Sequence, residues 1–181
     1  MMYNLAVNRP YEHILTVWGE ILANLGEVDN SFLYIRTAIA EDSILLDLRQ
    51  EQLDTFNAPT RDYLIRAHAW LMLMSPMNYA IFHGDKLLLL VSVIPVADGV
   101  AEISFLTDNN LVNASRRVRL AMVKAFRAGL DELPFRRLQA KVKEGFDIGT
   151  NFVEKLGFSK EGVLNKYGPE NDNYIMYGKV R

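Results

Sequence analysis

The sequence predicts an α/β domain in which a central antiparallel sheet is flanked by helices. Two observations predict it. Apolar residues recur at helical spacing on both sides of the chain's centre, and the centre consists of short alternating runs separated by glycine-containing turns. The chain has 181 residues, enough for one domain with a substantial core, and 50% of them are hydrophobic.

Net charge and residue content exclude several classes of function. The formal net charge is -2, which gives no overall attraction to nucleic acid or to an anionic membrane. The chain has no cysteine, so disulfides, thiolate metal sites and a cysteine nucleophile are excluded. The most apolar stretch, residues 86–96, is too short to span a bilayer, and residues 1–9 lack a secretory signal. We expect a soluble, cytoplasmic protein with no nucleic-acid or membrane partner.

Residues 11–25 are predicted to form an amphipathic helix that ends at Gly26, after a short extended segment over residues 3–7. Its apolar stripe consists of Ile14, Trp18, Ile21, Leu22 and Leu25. We expect residues 1–30 to be an N-terminal helical extension and residues 31–181 to form the main domain. The stripe either folds onto this domain or binds a protein partner or a second copy of the chain, with Trp18 as the anchor.

The main domain opens with a strand and two helices. Residues 32–37 alternate as a strand does, and the acidic pair Glu41 and Asp42 suits the first turn of a helix. The apolar face predicted for that helix is Ile44, Leu45 and Leu48. A second helix is expected over about residues 61–74. Its ends are marked by Asn57, Pro59, Thr60 and Pro76.

Three strands are predicted in the centre, over residues 78–82, 86–95 and 100–107. The turns His83-Gly84-Asp85 and Ala97-Asp98-Gly99 separate them, which indicates an antiparallel meander.

The last third alternates between helices and strands. A helix is expected to end at Gly129, with a stripe formed by Val118, Ala121, Met122, Ala125 and Phe126. Residues 136–142 are predicted to form a strand with one apolar and one polar face. The apolar face carries Leu138, Ala140 and Val142, and the polar face carries Gln139, Lys141 and Lys143. A helix from about Asp147 is capped by Gly157 and is expected to bury Ile148, Phe152, Val153 and Leu156. Strands over residues 163–167 and 174–180 follow.

Four segments in this order resemble the GCN5-related N-acetyltransferase family. FVEKLGF at 152–158 followed by KEGVL at 160–164 is similar to that family's helix-to-strand junction, and YIMYGK at 174–179 to its closing strand. YIRTA at 34–38, with Glu41 and Asp42 after it, resembles its opening strand and helix. The resemblance covers residues 32–181 and implies a mixed, mostly antiparallel central sheet.

The same resemblance implies acetyl-CoA as the cofactor. Its pantetheine arm would lie along Phe105, Leu106 and Thr107. Its pyrophosphate would meet the free N–H groups at the start of the next helix, where a partial positive charge favours anions. The residues implied there are Asn113, Ala114, Ser115, Arg116 and Arg117.

The pyrophosphate loop departs from the family pattern, because no glycine occurs between Gly99 and Gly129. Val112 falls near a glycine position and would crowd the phosphates, although the asparagines at 109, 110 and 113 tolerate left-handed backbone. Arginines at 116, 117 and 119 oppose the helix dipole unless an anion binds there. They form either an anion clamp or a solvated face of the helix.

The catalytic residues implied are Glu102, Ser104 and Tyr167. Glu102 is placed to accept the amine proton, Ser104 shares its strand face, and Tyr167 is a candidate acid, as are Tyr174 and Tyr177. Many members of the family carry a tyrosine acid where this chain has Val153, and an asparagine near the segment Gly145-Phe146-Asp147. The three histidines, His13, His68 and His83, lack ligand spacing, so we predict no metal site.

Three functions are therefore open. The first is an acetyl-CoA-dependent N-acetyltransferase acting on a primary amine of a protein, peptide or small molecule. The second is a pseudoenzyme, a catalytically inactive structural or binding protein of this fold such as a bacteriophage virion-associated protein. The third keeps an anion site at Arg116 and Arg117 for another ligand.

Overall fold

Eight strands form one sheet in this computed structural model, which describes residues 12–48, 50–56, 58–75 and 77–181. The strands are Glu27–Val28 (β1), Ser31–Thr37 (β2), Met77–His83 (β3), Lys86–Ala97 (β4), Val100–Thr107 (β5), Arg137–Lys143 (β6), Ser159–Leu164 (β7) and Tyr174–Val180 (β8). Their order in the sheet is β1-β2-β3-β4-β5-β6-β8-β7. Neighbouring strands are antiparallel, except that β5 and β6 are parallel.

Helices cover both faces of this sheet. They are Glu12–Ala23 (α1), Asp42–Leu45 (α2), Gln50–Thr55 (α3), Arg61–Met74 (α4), Asn109–Asn113 (α5), Arg116–Glu132 (α6) and Asp147–Lys155 (α7). One core lies between the sheet and α1, α6 and α7, and a second lies between the sheet and α2 and α4. The predicted fold class, a mixed and mostly antiparallel sheet flanked by helices with an added N-terminal helix, is confirmed. No helix within the described ranges is long and apolar enough to cross a membrane.

The central meander of β3, β4 and β5 is confirmed, and the predicted strand 100–107 coincides with β5. Its two turns depend on glycine. Gly84 has a φ of 59° and Gly99 a φ of 65°, in the left-handed region that glycine enters without a steric cost.

The N-terminal helix packs into the first core through Trp18. The indole is 2% exposed and lies with its ring centroid 5.0 Å from those of Tyr79 and Phe126. Leu22 is also buried there. The apolar stripe was expected either to fold onto its own domain or to bind another chain. For Trp18 and Leu22, the structure shows packing onto the same chain. The Ile14 side chain and the extended segment expected over residues 3–7 lie outside the described residues.

The predicted end of α6 at Gly129 is wrong, since the helix continues to Glu132. Gly129 is buried inside the helix, against the Trp18 indole, and a Cβ atom at this position would overlap the indole nitrogen. This glycine allows two helices to approach closely and does not cap one.

The helix predicted after Glu41 is shorter than expected and turns the opposite face inward. Asp42 and Ser43 are buried, whereas Ile44 and Leu45 are 65% and 61% exposed. Asp42 is held by Arg36, whose two guanidinium nitrogens donate to its carboxylate at 2.7 and 2.5 Å. The paired carboxylate therefore takes the inward position that hydrophobic spacing would assign to leucine.

Two expectations near the C-terminus also need correction. The strand predicted over residues 163–167 is β7, which ends at Leu164, so Tyr167 lies in the loop before β8. Lys166, with a φ of 54°, is in a turn conformation beside it. Ile148 is 50% exposed and not buried. The predicted cap at Gly157 is supported by its φ of 92°.

Candidate functional site

The parallel strands β5 and β6 separate after three residue pairs. Val100 pairs with Arg137, Ala101 with Leu138 and Glu102 with Gln139. Beyond Glu102, β5 runs on to Thr107 paired only with β4, and β6 runs on to Lys143 paired only with β8. The sheet is therefore open between these two strands, and backbone groups face each other across the gap.

A cavity of about 1040 Å³ occupies this gap. Its apolar wall includes Phe105 and Phe152, whose rings meet edge to face at 5.4 Å. Other apolar lining residues are Leu111, Leu120, Val123, Phe146, Ile148 and Val153, and the polar ones include Gln52, Glu102, Ser104, Thr107, Lys141 and Tyr167. Residues from both faces of the sheet line it, so the cavity passes through the gap between the strands.

The first turn of α6 borders this cavity. Ser115 caps the helix, with its hydroxyl oxygen accepting a hydrogen bond from the N–H of Val118 at 3.2 Å. Arg116 and Arg119 line the cavity, and Arg119 also donates to the Val112 carbonyl at 2.8 Å. Arg117 is exposed and is absent from the lining.

The loop without glycine is largely helical, because its residues 109–113 form α5. Asp108 begins this helix: one carboxylate oxygen accepts from the Asn110 N–H and the other from the Asp47 N–H, both at 2.6 Å. Asp108 is fully buried, and burial raises the pKa of its carboxyl although these backbone hydrogen bonds lower it. None of the asparagines in α5 has a positive φ, so the left-handed backbone considered for them is not present.

The loop nevertheless leaves the gap open. Val112 lines the cavity and is half-buried, but it does not fill the space between β5 and β6.

The structure brings together some of the residues implied by the sequence. Those that line the cavity are Glu102, Ser104, Phe105, Thr107, Arg116 and Tyr167. Leu106 is buried in the second core, on the opposite side of β5 from Phe105. Asn113, Ala114 and Ser115 border a different, smaller cavity of about 200 Å³.

Lys141 was not predicted as a site residue, but it links Glu102 and Tyr167, which were. Its ammonium lies 2.7 Å from Glu102 Oε2 and donates to the Tyr167 hydroxyl oxygen at 2.6 Å. It also lies 4.8 Å from the centroid of the Tyr167 ring. Burial, the largest single influence, lowers the pKa of Lys141, but the hydrogen bonds to Glu102 and Tyr167 outweigh it, and the pKa lies above its ordinary value. The signal in the sequence was the alternation that puts Lys141 on the polar face of its strand.

The short helix α3 contacts both sides of the gap and was also missed. Gln52 donates to the Thr107 hydroxyl on β5 at 2.9 Å, and Lys143 on β6 donates to the Asp54 carbonyl at 3.1 Å. The helix therefore holds the separated strands at a fixed spacing on this side of the sheet.

Helix α7 presents no proton donor at the position where many members of the family that the sequence resembles carry tyrosine. Val153 is buried and lines the cavity. Asn151 lines it as well, one turn after the segment in which an asparagine was sought. Within the described residues, no three His, Asp or Glu side chains are grouped as metal ligands.

Comparisons with solved structures identify the fold. No protein-family model matches the chain, and no curated protein does. The ribosomal L7/L12 alpha-N-protein acetyltransferase RimL has a TM-score of 0.63 at 17% identity, over 86% of this chain and 93% of its own. A GNAT-family acetyltransferase from Bacillus anthracis has a TM-score of 0.62 at 15% identity, and the match covers 82% of this chain and 94% of that protein. An acetyltransferase from Salmonella typhimurium that modifies the N-terminal serine of L7/L12 has a TM-score of 0.59 at 14% identity. This match covers 82% of this chain and 95% of that protein.

These identities establish a fold and leave the chemistry to be argued from the site. The TM-scores of 0.59 to 0.63 and the coverage of at least 82% of this chain show that the similarity extends over most of the sheet and its helices. The chain has the fold of the GCN5-related N-acetyltransferase (GNAT) superfamily, in a divergent form.

Proposed function

We propose that the protein is an acetyl-CoA-dependent N-acetyltransferase that acts on a primary amine of a protein, peptide or small molecule. The observation that carries this proposal is the gap between β5 and β6, which is open through the sheet and has titratable side chains on one side. A site of this kind admits two reactants from opposite faces and holds them in one orientation.

The residues present fit the cofactor. Its pantetheine arm is extended and carries amides, which match the edge of β5 beyond Glu102, where the ladder to β6 has ended. Its phosphates match the positive end of α6 with Arg116 and Arg119 beside it. The cavity, about 1040 Å³, is as large as the larger ligand pockets of proteins, which reach roughly 1,000 Å³.

Acetyl-CoA would supply the acetyl group as an activated thioester. The chain would supply positioning and proton transfer. Glu102 has its Oε2 atom 2.7 Å from the Lys141 ammonium, and its carboxylate would accept the proton of the acceptor amine. Backbone N–H groups of β5 would hydrogen-bond the thioester carbonyl and stabilise charge on its oxygen.

Among the possible acceptors, the N-terminal amine of a protein is the first to test. Two structures similar to this chain are described as acetylating ribosomal protein L7/L12. A cytoplasmic location, or one in a virion if the bacteriophage alternative holds, stays a prediction.

Calorimetric titration with acetyl-CoA tests the proposal. Wild type should bind, and Arg116→Ala should weaken binding by about tenfold or more, because a charge-assisted hydrogen bond to phosphate contributes about 1.5–3 kcal/mol. Arg117→Ala is the matched control: it removes the same charge one residue away, outside the cavity, and should change affinity less than about threefold.

The alternatives predict different titrations. If wild type gave no heat at millimolar acetyl-CoA, the transferase hypothesis would be rejected and the inactive structural or binding protein would remain. The buried Val153 and the glycine-free loop would be consistent with that second hypothesis. Heat with inorganic pyrophosphate but not with acetyl-CoA would leave the third hypothesis, an anion site for another ligand. Equal losses in the two arginine variants would mean that the arginines act only through net charge.

A further inference from the structure

Three side chains form a hydrogen-bonded chain at the point where β5 and β6 separate. Glu102 is the last residue of β5 to pair with β6, and Lys141 lies two residues beyond its partner Gln139. Both side chains lie on the polar face of their strands, which brings the Lys141 ammonium to the Glu102 carboxylate. The Tyr167 loop completes the chain from the other side of Lys141.

This geometry fixes the direction of the Tyr167 hydroxyl hydrogen. An ammonium can only donate, so the hydroxyl oxygen is the acceptor of the 2.6 Å hydrogen bond from Lys141. The hydroxyl hydrogen must therefore point away from Lys141. The side chain of Tyr167 is 52% exposed and lines the cavity, so this hydrogen is available to a group bound there.

The ammonium would also favour negative charge on a group bound beside it in the cavity. A cation in hydrogen-bond contact stabilises the ionised form of an adjacent acid, most strongly where water is partly excluded. Lys141 is part-buried and its pKa is raised, so it keeps its charge throughout the neutral and mildly alkaline range. Across the cavity, the buried Val153 offers no hydrogen to a leaving group.

We propose that Lys141 is a positioning residue that directs the Tyr167 hydroxyl toward the departing sulfur, so that the β7–β8 loop supplies the proton that α7 cannot. This inference rests on the proposed acetyltransferase function. It assigns the sulfur end of the site to Lys141 and Tyr167 and the amine end to Glu102.

The protons balance through the same three residues. As the acceptor nitrogen bonds to the acyl carbon and the carbon–sulfur bond breaks, the nitrogen gives a proton to Glu102 and Tyr167 gives one to sulfur. Lys141 then passes a proton to the Tyr167 oxygen and takes one from Glu102, along hydrogen bonds of 2.6 and 2.7 Å. All three side chains return to their starting states.

Binding of free CoA tests this inference without any acceptor. A thiol of ordinary pKa, about 8.5, is ionised at pH 9.5 but not at pH 6.5. If Lys141 and Tyr167 face the sulfur, the affinity of wild type for CoA relative to acetyl-CoA should rise about tenfold between these two pH values. Acetyl-CoA has no ionisable sulfur, so it corrects for every other effect of pH on binding.

Four variants sharpen the measurement. Lys141→Met should abolish the rise, Tyr167→Phe should reduce it to about threefold, and Lys141→Arg should preserve it because the charge remains. Lys160→Met is the matched control, since Lys160 is an exposed lysine of β7 outside the cavity, and it should behave as wild type. Circular dichroism melting checks that each variant is folded. Should Lys141→Met not fold, Lys141→Gln and Tyr167→Phe serve instead.

Each outcome decides one question. If acetyl-CoA binds but the ratio stays constant with pH in wild type, or rises equally in Lys141→Met, the assignment of Lys141 and Tyr167 to the sulfur is wrong and the proposed function stands. If wild type does not bind acetyl-CoA, the proposed function itself is rejected.

Discussion

Among single residues, His68 has the clearest consequence for stability. It lies in α4, almost fully buried, with Nδ1 3.4 Å from the Ser43 hydroxyl. Its Nε2 atom has no hydrogen-bond partner among the described residues. Burial lowers the pKa of His68 from 6.5 to about 4. A folded protein that holds this imidazole neutral binds fewer protons than its unfolded chain does between these two values.

We therefore expect the free energy of unfolding to fall as pH decreases from about 6.5 to 4. One pKa unit corresponds to about 1.4 kcal/mol, so the loss attributable to His68 approaches about 3 kcal/mol. Urea denaturation at pH 7.5, 5.5 and 4.5 measures it. The difference between wild type and His68→Leu isolates this residue, because other groups titrate in both proteins. An identical pH dependence in the two would contradict the assignment.

The sequence identifies a site residue only where the alternation of a single strand is enough to place its side chain. Alternation along β5 places Glu102 and Ser104 on one face, and that much is readable from the sequence. Lys141 could not be assigned in this way, because its contact with Glu102 depends on the register of two parallel strands that are far apart in the chain. Nor does the sequence reveal that Arg116 lines the cavity while Arg117 does not.

At the level of elements, the contact of α1 with α6 depends on one missing side chain. Replacing Gly129 by Ala would favour the helix by up to about 1 kcal/mol on propensity alone. The added Cβ would, however, overlap the Trp18 indole. We expect Gly129→Ala to destabilise the protein by about 1–3 kcal/mol, the usual cost of overpacking. Urea denaturation provides the measurement.

Gly19→Ala is the control for this prediction. Gly19 lies in the middle of α1, and a Cβ there would meet nothing within 4 Å. This substitution should stabilise the protein by up to about 1 kcal/mol. If Gly129→Ala stabilised the protein to the same extent, the close packing of Trp18 on α6 would be wrong.

Elements with a simple burial pattern were predicted well, and the others were not. The strands β5 and β8 have the bounds expected from the sequence. In α2, the Arg36–Asp42 ion pair reverses the face that hydrophobic spacing would bury. The short helix α5 carries one buried apolar residue, Leu111, and is held by Asp108, so it has no apolar period to detect.

For the molecule as a whole, the question is whether α1 belongs to the core or to an interface between chains. Trp18 and Leu22 are part of the first core in a single chain. Losing a buried tryptophan and a buried leucine costs about 3–5 and 2–5 kcal/mol respectively, comparable to the whole stability of a domain.

Deleting residues 1–26 should therefore unfold or aggregate the protein. Circular dichroism and light scattering of the deletion variant, beside the full chain, test this expectation. The conservative variant Trp18→Phe, which keeps the helix, should remain folded with a lower melting temperature. A soluble, folded monomer obtained by deletion from an oligomeric full chain would show instead that the stripe is an interface.

The fold of residues 32–181 could be predicted from element order and four short segments, whereas the form of the cavity could not. Its openness depends on how α5 packs and on α3 spanning the gap, and both arise from hydrogen bonds between distant parts of the chain. The sequence did indicate where the chain departs from the pattern of the family that it resembles, in the glycine-free segment whose residues Asn109–Asn113 form α5.

The early separation of β5 from β6 has one more consequence. It divides the sheet into five strands and three, joined by three residue pairs, and it places two edge strands in the interior of the protein. An edge strand is a template for any extended molecule with its own amides. Such a molecule would act as a ninth strand, recognised by main-chain atoms that every sequence shares. Recognition of this kind survives substitution of the surrounding side chains, so it does not require glycine in the neighbouring loop.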